Sequence, residues 1–572
     1  MPRKFPNSNL KLFKLAKPYF GLILLILAVS LAGNGLNLIL PKLIAQTIDV
    51  FQSSNSLPIT FIRNFSLIIV FIFIFSSIQR VLQTYLSEKF ARDLRKKLIN
   101  KISNQPYLFI NQITPEKLLT NLTADVDNIK QVIAQALIQI FASFITIVGA
   151  TILLISINWR LALIVLSIIP IIASIFILIF SKIRKYFLRA QVVIDKLNKV
   201  INESIIASSL IRIINSQEWE FLKFRTVSQE ARQIGLSILK LFSSLVPLIG
   251  FIANASIVAI LLIGGKSIVL GTFTIGSFTA FMSYISMLIF PIIVLGFISN
   301  LIARAAVSFE RVNQVLEAPV EKIYGDLERE IKGDIVFKNV NLTLNNKQIL
   351  KNVSFNLKAK HKTAILGPTA AGKTQIFYLI AGLIKPSSGQ ILIDNIPLFD
   401  YSQNCLSSQI GLVFQDSSIF NTSILENINF KNKTDPAAVD KAIVTAELKN
   451  FIDTLPQGLK TKIDERGNNL SGGQKQRITL ARALALNPKI LLLDDFTARV
   501  DKDTEKRIIA NLDKNYPKIT EVIITQQISS ARTADQIILV MEGEVLAVGT
   551  HASLLKKSPE YRQIYNSQQD LT

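Results

Sequence analysis

Apolar residues follow two different rhythms along this chain. In the first half they form long, nearly unbroken runs. In the second they form short stretches such as TAILG, ILLLDD and EVIIT, spaced by segments of helical periodicity. A run needs about 20 apolar residues to cross roughly 30 Å of hydrocarbon. The pattern predicts such runs near residues 19–41, 60–82, 135–157, 161–182, 243–265 and 275–298. Their connections alternate. Residues 42–59, Asn158–Arg160 and Lys266–Thr274 are short and poor in Lys and Arg, whereas 83–134 and 183–242 are long and basic, as at Lys89, Arg92, Arg95, Lys96 and Lys97. The positive-inside rule then puts both termini and the long connections in the cytoplasm.

The long connections carry helical spacing of their own, in SEKFARDLRKKLINKI and RKYFLRAQVVIDKLNKVINESI. Folded as two antiparallel helices each, they reach on the order of 35 Å below the membrane at about 1.5 Å per residue. Pro106 and Ser208–Ser209 are the expected turning points. A peripheral helical domain without a coupling role is the alternative. The basic start, MPRKFPNSNLKLFKLAKPYFG, runs into the first apolar stretch without a clear small-residue cleavage site, so a retained first helix is expected. The chain thus divides into a membrane α-helical domain over 1–318, a linker over 319–333 and a soluble α/β domain over 334–572.

Composition changes this picture little. Of 572 residues 50% are hydrophobic, and the formal charge is +23. Because Lys and Arg crowd the flanks of apolar runs, the charge is expected to face an anionic lipid bilayer. No nucleic-acid recognition motif accompanies it, so no nucleic-acid partner is expected. A single cysteine, Cys405, offers neither disulfides nor a thiolate metal cluster.

The chemistry lies in the second half. TAILGPTAAGKT reads as a buried strand, then G-x-x-x-x-G-K-T, then a helix-forming run. The loop Gly367, Pro368, Thr369, Ala370, Ala371 and Gly372 would wrap phosphates with backbone N–H groups, Lys373 would reach the β- and γ-phosphates, and Thr374 would ligate Mg²⁺. Asp494, ending a greasy strand, would orient the same ion through water. ATP and Mg²⁺ are the implied cofactors.

LSGGQKQR, Leu470 to Arg477, follows the P-loop and precedes the Asp494–Asp495 pair. With these motifs in this order the chain resembles the ATP-binding cassette (ABC) transporter family, in its exporter-like half-transporter branch. The resemblance implies that Ser471, Gly472, Gly473 and Gln474 form the signature loop that caps ATP held by an opposite domain. It implies that Gln415, in VFQDSSIF, contacts Mg²⁺ and links to the membrane arms, and that Asp501 closes the D-loop, although Phe496, Ala498 and Arg499 are unusual there. KIDERG, Lys462 to Gly467, resembles the exporters' X-loop, and Gly271 to Pro291 resembles the entry to their sixth helix. The arm turns near Phe109–Thr114 and Ile205–Asn215 would be coupling helices. Short outer loops leave no platform for an external solute-binding protein, which suits export.

Other positions depart from the family pattern too. Ala370, with Ala371, stands where a Gly-Ser pair is frequent. Asp495 replaces the Glu that polarises the attacking water, and is one methylene shorter. Gln526 replaces the switch His, and neither His361 nor His551 lies where it could substitute. Leu344 occupies the position of an adenine-stacking aromatic. Degeneracy at the catalytic pair resembles the LmrC-type subunit of heterodimeric bacterial multidrug exporters. It implies weak hydrolysis at this chain's own P-loop and a non-identical half-transporter partner supplying Glu and His. A homodimeric lipid or peptide exporter with slow hydrolysis stays open, as does a nucleotide-sensing regulatory or channel subunit. The cargo expected is a small amphipathic or hydrophobic compound. Phe251, Phe278, Phe281, Met282, Tyr284 and Met287 either line its cavity or pack against neighbours.

Overall fold

The computed structural model describes residues 17–54, 59–319, 323–416, 418–430 and 434–569. Most of the basic start therefore lies outside the described residues, as do 320–322 of the linker. The chain divides into two units, Met1–Ser103 with Pro115–Ala318, and Asn104–Thr114 with Pro319–Thr572. Residues 104–114, expected within 1–318, thus group with the second unit.

The first unit is built on six long helices: α1 (Phe20–Ser54), α2 (Ile59–Ser103), α3 (Pro115–Ile157), α4 (Trp159–Ile206), α5 (Gln217–Val269) and α6 (Ile275–Glu317). Each has a segment long and apolar enough to cross a membrane. They outrun the predicted spans because nothing in the sequence stops them at the bilayer edge, so the arm helices are continuous with the spans. The second arm turns through a short helix, Ser208–Ile213, whose flanking Ile206 and Ile214 and own Ile213 are exposed.

Two turns of α3 are π-helical, Asn121–Asp125 and Val132–Ala136. Below the spans, Arg95 pairs with Asp127 at 2.7 Å, Asn128 donates to Ser308 at 3.0 Å and Arg311 lies 3.6 Å from the buried Asp125. These contacts tie α2, α3 and α6 together. Phe281 and Tyr284 are fully buried among Leu38, Leu154 and Leu161, and the Tyr284 hydroxyl donates to the Leu38 carbonyl at 2.8 Å. Phe278, Met282 and Met287 pack on the same cluster, so these residues serve the helix interface; Phe251 is exposed.

The second unit carries two sheets. One is antiparallel, of β1 (Ile335–Leu344), β2 (Lys347–Leu357), β4 (Ser388–Ile393) and β5 (Ile396–Pro397), in the order β2-β1-β4-β5. The other contains β3 (Lys362–Leu366), β6 (Ile410–Val413), β7 (Ile490–Asp494), β8 (Thr520–Thr525), β9 (Gln536–Met541) and β10 (Glu544–Gly549). Its order is β10-β9-β3-β8-β7-β6, parallel except at the β10 edge. Strands β7 and β8 are buried along their whole length, as a sheet covered on both faces requires. The short helix Tyr107–Ile113 belongs here, with Tyr107 and Leu108 packed against the core.

Candidate functional site

Strands β3, β8 and β7 are adjacent and parallel, with Leu366 opposite Thr525 and Asp494 opposite Ile524. Their carboxyl ends therefore open side by side, the usual place for a ligand in such a sheet. After β3 the chain makes the loop 367–372 and enters helix α7 (Lys373–Ile380). Gly372 sits at φ +91°, a conformation that favours glycine, and a Cβ there would also press on the Leu350 methyl at 2.7 Å. A Cβ on Gly367 would strike the Val540 carbonyl. Ala370 also sits in the left-handed region, at φ +65°, where a Cβ is unfavourable.

A cleft of about 590 Å³ opens over this loop, within the size range of small-molecule sites. Thr369–Thr374, Gln415, Asp494, Asp495 and Gln526 all line it. Gly367 and Pro368 hold it from beneath, their carbonyls accepting from Lys373 Nζ at 2.7 and 2.6 Å. Thr374 Oγ1 donates to Asp494 Oδ2 at 2.9 Å. Burial raises the pKa of Asp494, opposed by the Thr374 hydrogen bond, while Asp495 adds a second raising influence. Burial likewise raises Asp495, with Lys373 opposing, and lowers Lys373, with both carboxylates opposing. Desolvated carboxylates beside a hydroxyl form a hard oxygen set that favours a divalent cation. Among the described residues no cluster of three His, Cys, Asp or Glu side chains makes a closed metal cage.

Asp495 stands at φ +46°, its N–H donating to the Ile524 carbonyl at 3.0 Å. The Gln526 side chain accepts from Thr369 Oγ1 at 3.4 Å, and its backbone carbonyl accepts from Gln568 Nε2 at 2.8 Å. His361 lies against its own turn at the Ala359 carbonyl and His551 against Tyr561, so neither lines the cleft. Next to Gln415, Phe414 packs edge-on against Tyr378 at 6.0 Å, and Tyr378 against Tyr107 at 5.2 Å. A row of aromatic rings therefore runs from the cleft to the short helix Tyr107–Ile113.

Leu344, the expected adenine-side residue, is half-buried and packs on the domain core beside this cleft. The hairpin turns at Asn345 and Asn346, both at positive φ, with Leu344 and Lys347 as the pair that closes the turn. The wall comes from the residues after it, Lys347, Gln348 and Ile349, with Lys351 and Glu542. The Asn-Asn pair was the available signal for these missed residues.

The signature residues lie outside this cleft. Ser471 caps helix α8 (Gly472–Ala485), its Oγ accepting from Gln474 N at 3.2 Å while Gln474 Oε1 accepts from Ser471 N at 2.8 Å. Cβ atoms on Gly472 and Gly473 would meet Arg499 Cδ at 3.1 Å and its carbonyl oxygen at 2.8 Å. The absence of side chains lets the loop 497–500 close against this helix start. Asp501 caps the next helix, α9 (Lys502–Asn515), accepting from Thr504 N at 2.9 Å.

Comparison with known proteins bears on the whole chain. Residues 23–292 match the model described as ABC transporter transmembrane region, and 350–498 the model described as ABC transporter. An uncharacterised ABC transporter ATP-binding protein of Bacillus subtilis, YfiB, is 32% identical over 566 residues, 98% of each chain. The multidrug resistance-like ATP-binding protein MdlA of Buchnera aphidicola is 30% identical over 567 residues, 96% of each chain. An ATP-dependent lipid A-core flippase of Syntrophus aciditrophicus is 26% identical across 99% of this chain and 96% of its own. The solved structure of a bacterial Atm1-family ABC exporter with ATP bound superposes with a TM-score of 0.80 at 21% identity, covering 96% of this chain and 99% of that one.

Proposed function

Given that the chain belongs to the ABC transporter family, we propose that it is the subunit carrying the degenerate ATP site of a heterodimeric exporter of amphipathic or hydrophobic compounds. Its membership makes it an ATP-binding, multi-pass membrane protein with a cytoplasmic nucleotide-binding half, in which ATP hydrolysis drives export. Half-transporters of this kind work as dimers. The finer reading concerns which cleft does the hydrolysis.

What carries it is the pair Asp495 and Gln526 in one cleft with no histidine beside them. The loop amides and Lys373 bind the phosphates, and Thr374, Gln415 and Asp494 are the residues that would hold Mg²⁺. That ion supplies charge neutralisation at the phosphates when bound. Asp495 would have to align the attacking water, but its carboxylate is drawn back by roughly 1–1.5 Å, and about 1 Å of misplacement costs about 100-fold. Gln526 hydrogen-bonds yet cannot become a cation to meet developing charge. Binding is therefore retained and turnover is slow. The partner supplies Glu and His in its own cleft, which this chain's Ser471–Gln474 loop completes. The exposed isoleucines of the second arm tip, 75%, 81% and 61% exposed at 206, 213 and 214, support a second chain that covers them. The names of the relatives, a lipid A-core flippase and a multidrug resistance-like protein, support an amphipathic or hydrophobic cargo.

The test is purification of the chain alone and with a co-purified half-transporter, followed by ATPase and dye-efflux assays. Negligible steady-state turnover alone and robust turnover in the pair is the expected result. Sustained ATPase from two identical copies, even a slow one, abolished by Asp495→Asn, would defeat the proposal. That outcome would favour a homodimeric lipid or peptide exporter with slow hydrolysis, a reading supported by Asp495 keeping a carboxylate in the cleft and by burial strengthening its hold on a proton.

A further inference from the structure

The membrane unit holds two adjoining cavities, of about 300 and 420 Å³, between α2, α3 and α6, and they share Gln83 and Gln135. They lie where the apolar run of α2 ends and that of α3 begins, at the level of the inner leaflet. One is polar, lined by Arg80, Gln131, Thr84 and Ser87 besides the shared glutamines. The other is apolar beyond its three glutamines, and its lining includes Phe290 and Phe297, both exposed. Four glutamines thus face the two cavities where the apolar runs end, Gln131 and Gln135 exposed, Gln83 and Gln139 half-buried.

Backbone geometry makes the same place unusual. Gln135 lies in the π turn Val132–Ala136 of α3, which interrupts the ordinary bonding ladder. The Gln83 amide crosses from α2 and donates to the Ala134 carbonyl inside that turn. Such turns recur at functional sites, since they bend the ladder to redirect side chains and release a carbonyl. Charge is equally one-sided. No carboxylate lines either cavity. Lys130 is already paired with Glu88. Arg80 is exposed, and no described carboxylate lies within salt-bridge reach of it.

We propose that these cavities form a headgroup subsite for cargo, taking an amphiphile with one anionic group and neutral hydrogen-bonding atoms. Arg80 meets the anion, the glutamines meet the hydroxyls or amides, and the chain lies along Phe290 and Phe297. This rests on the export reading and narrows its substrate class.

The test uses the complete transporter, with its partner chain, in phosphatidylcholine nanodiscs. Isothermal titration compares dodecyl phosphate, dodecyltrimethylammonium and inorganic phosphate, and ATPase is followed in parallel. Dodecyl phosphate is expected to bind about tenfold tighter than the cationic probe, a typical value for one charge-assisted contact. Arg80→Gln should erase that preference and Arg80→Lys keep it. Gln135→Leu should weaken dodecyl phosphate without creating a preference for the cation. Equal binding of the two amphiphiles, or a preference surviving Arg80→Gln, overturns the subsite. Inorganic phosphate competing as well as dodecyl phosphate overturns the amphiphile assignment. Binding as expected without any ATPase leaves the subsite standing and counts against the export reading instead.

Discussion

Replacing Asp495 by Glu should make this cleft faster and the domain less stable, and both effects follow from the same backbone. The main chain at 495 is held by its N–H on the Ile524 carbonyl at 3.0 Å, and its own carbonyl accepts from Ala498 N at 3.2 Å. So anchored, the backbone cannot advance to compensate for a short side chain. The φ of +46° suits Asp, which tolerates the left-handed region better than Glu. One more methylene carries the carboxylate forward by roughly 1–1.5 Å, worth up to about 100-fold where alignment is limiting. Without a cation at position 526 only part of that gain is realised, so we expect about tenfold for Asp495→Glu alone. Adding Gln526→His should give on the order of 10²–10⁴-fold, the range of general-base catalysis. The cost is about 0.5–1 kcal/mol of stability, part of the penalty for a side chain ill-suited to this φ. The assay is single-turnover ATP hydrolysis in a pair whose other cleft is disabled at its catalytic Glu, with thermal unfolding of the same samples. An unchanged rate in the double variant would refute the geometric account, and a variant both faster and more stable would refute the backbone account.

Other consequences are simpler to check. Ala370→Gly should relieve the left-handed strain, offset partly by greater freedom of the unfolded chain. A net gain of about 0.5–1 kcal/mol is expected by thermal unfolding, with Ala370→Val below wild type. Gly473→Ala places a Cβ 2.8 Å from the Arg499 carbonyl, which should cost about 1–3 kcal/mol and slow the partner's cleft more than this chain's own. Glu521 is 4% exposed in β8 and burial holds its pKa above the usual carboxylate value, with Lys362 at 3.8 Å opposing. A raised folded pKa contributes stability below the unfolded value, about 4.3, that is lost as pH rises through the folded value. Unfolding followed from pH 5 upward should therefore show a decline that Glu521→Gln flattens, and parallel curves would contradict it.

Much of this molecule is legible in its sequence, for identifiable reasons. Hydrocarbon imposes a length on apolar runs, so six spanning segments could be counted. A P-loop needs a strand before it and a helix after it, so Thr369–Thr374 and Asp494 could be expected at neighbouring strand ends, and the structure brings both to one cleft. Local pattern failed where long-range contact decides. The helices do not stop at the bilayer edge, since only the solvent changes there and not the helical periodicity. The π turns of α3 leave no mark in composition. Lys347, Gln348 and Ile349 reach the cleft because a two-residue turn at Asn345–Asn346 returns the chain there, which no apolar pattern announces. Tyr107 sits in what reads as a membrane-arm turn, yet its ring partner is Tyr378, far along the chain.

That last pairing has a consequence for biogenesis. The helix Tyr107–Ile113 leaves the ribosome long before Tyr378 and Phe414 exist, an interval on the order of tens of seconds at about 5–20 residues per second. Throughout it the hydrophobic side of this helix has no seat and waits, exposed, at the cytosolic end of an already inserted hairpin. Substitutions at Tyr107 or Leu108 should accordingly lower the yield of mature protein through quality control, even when the surviving molecules are fully active.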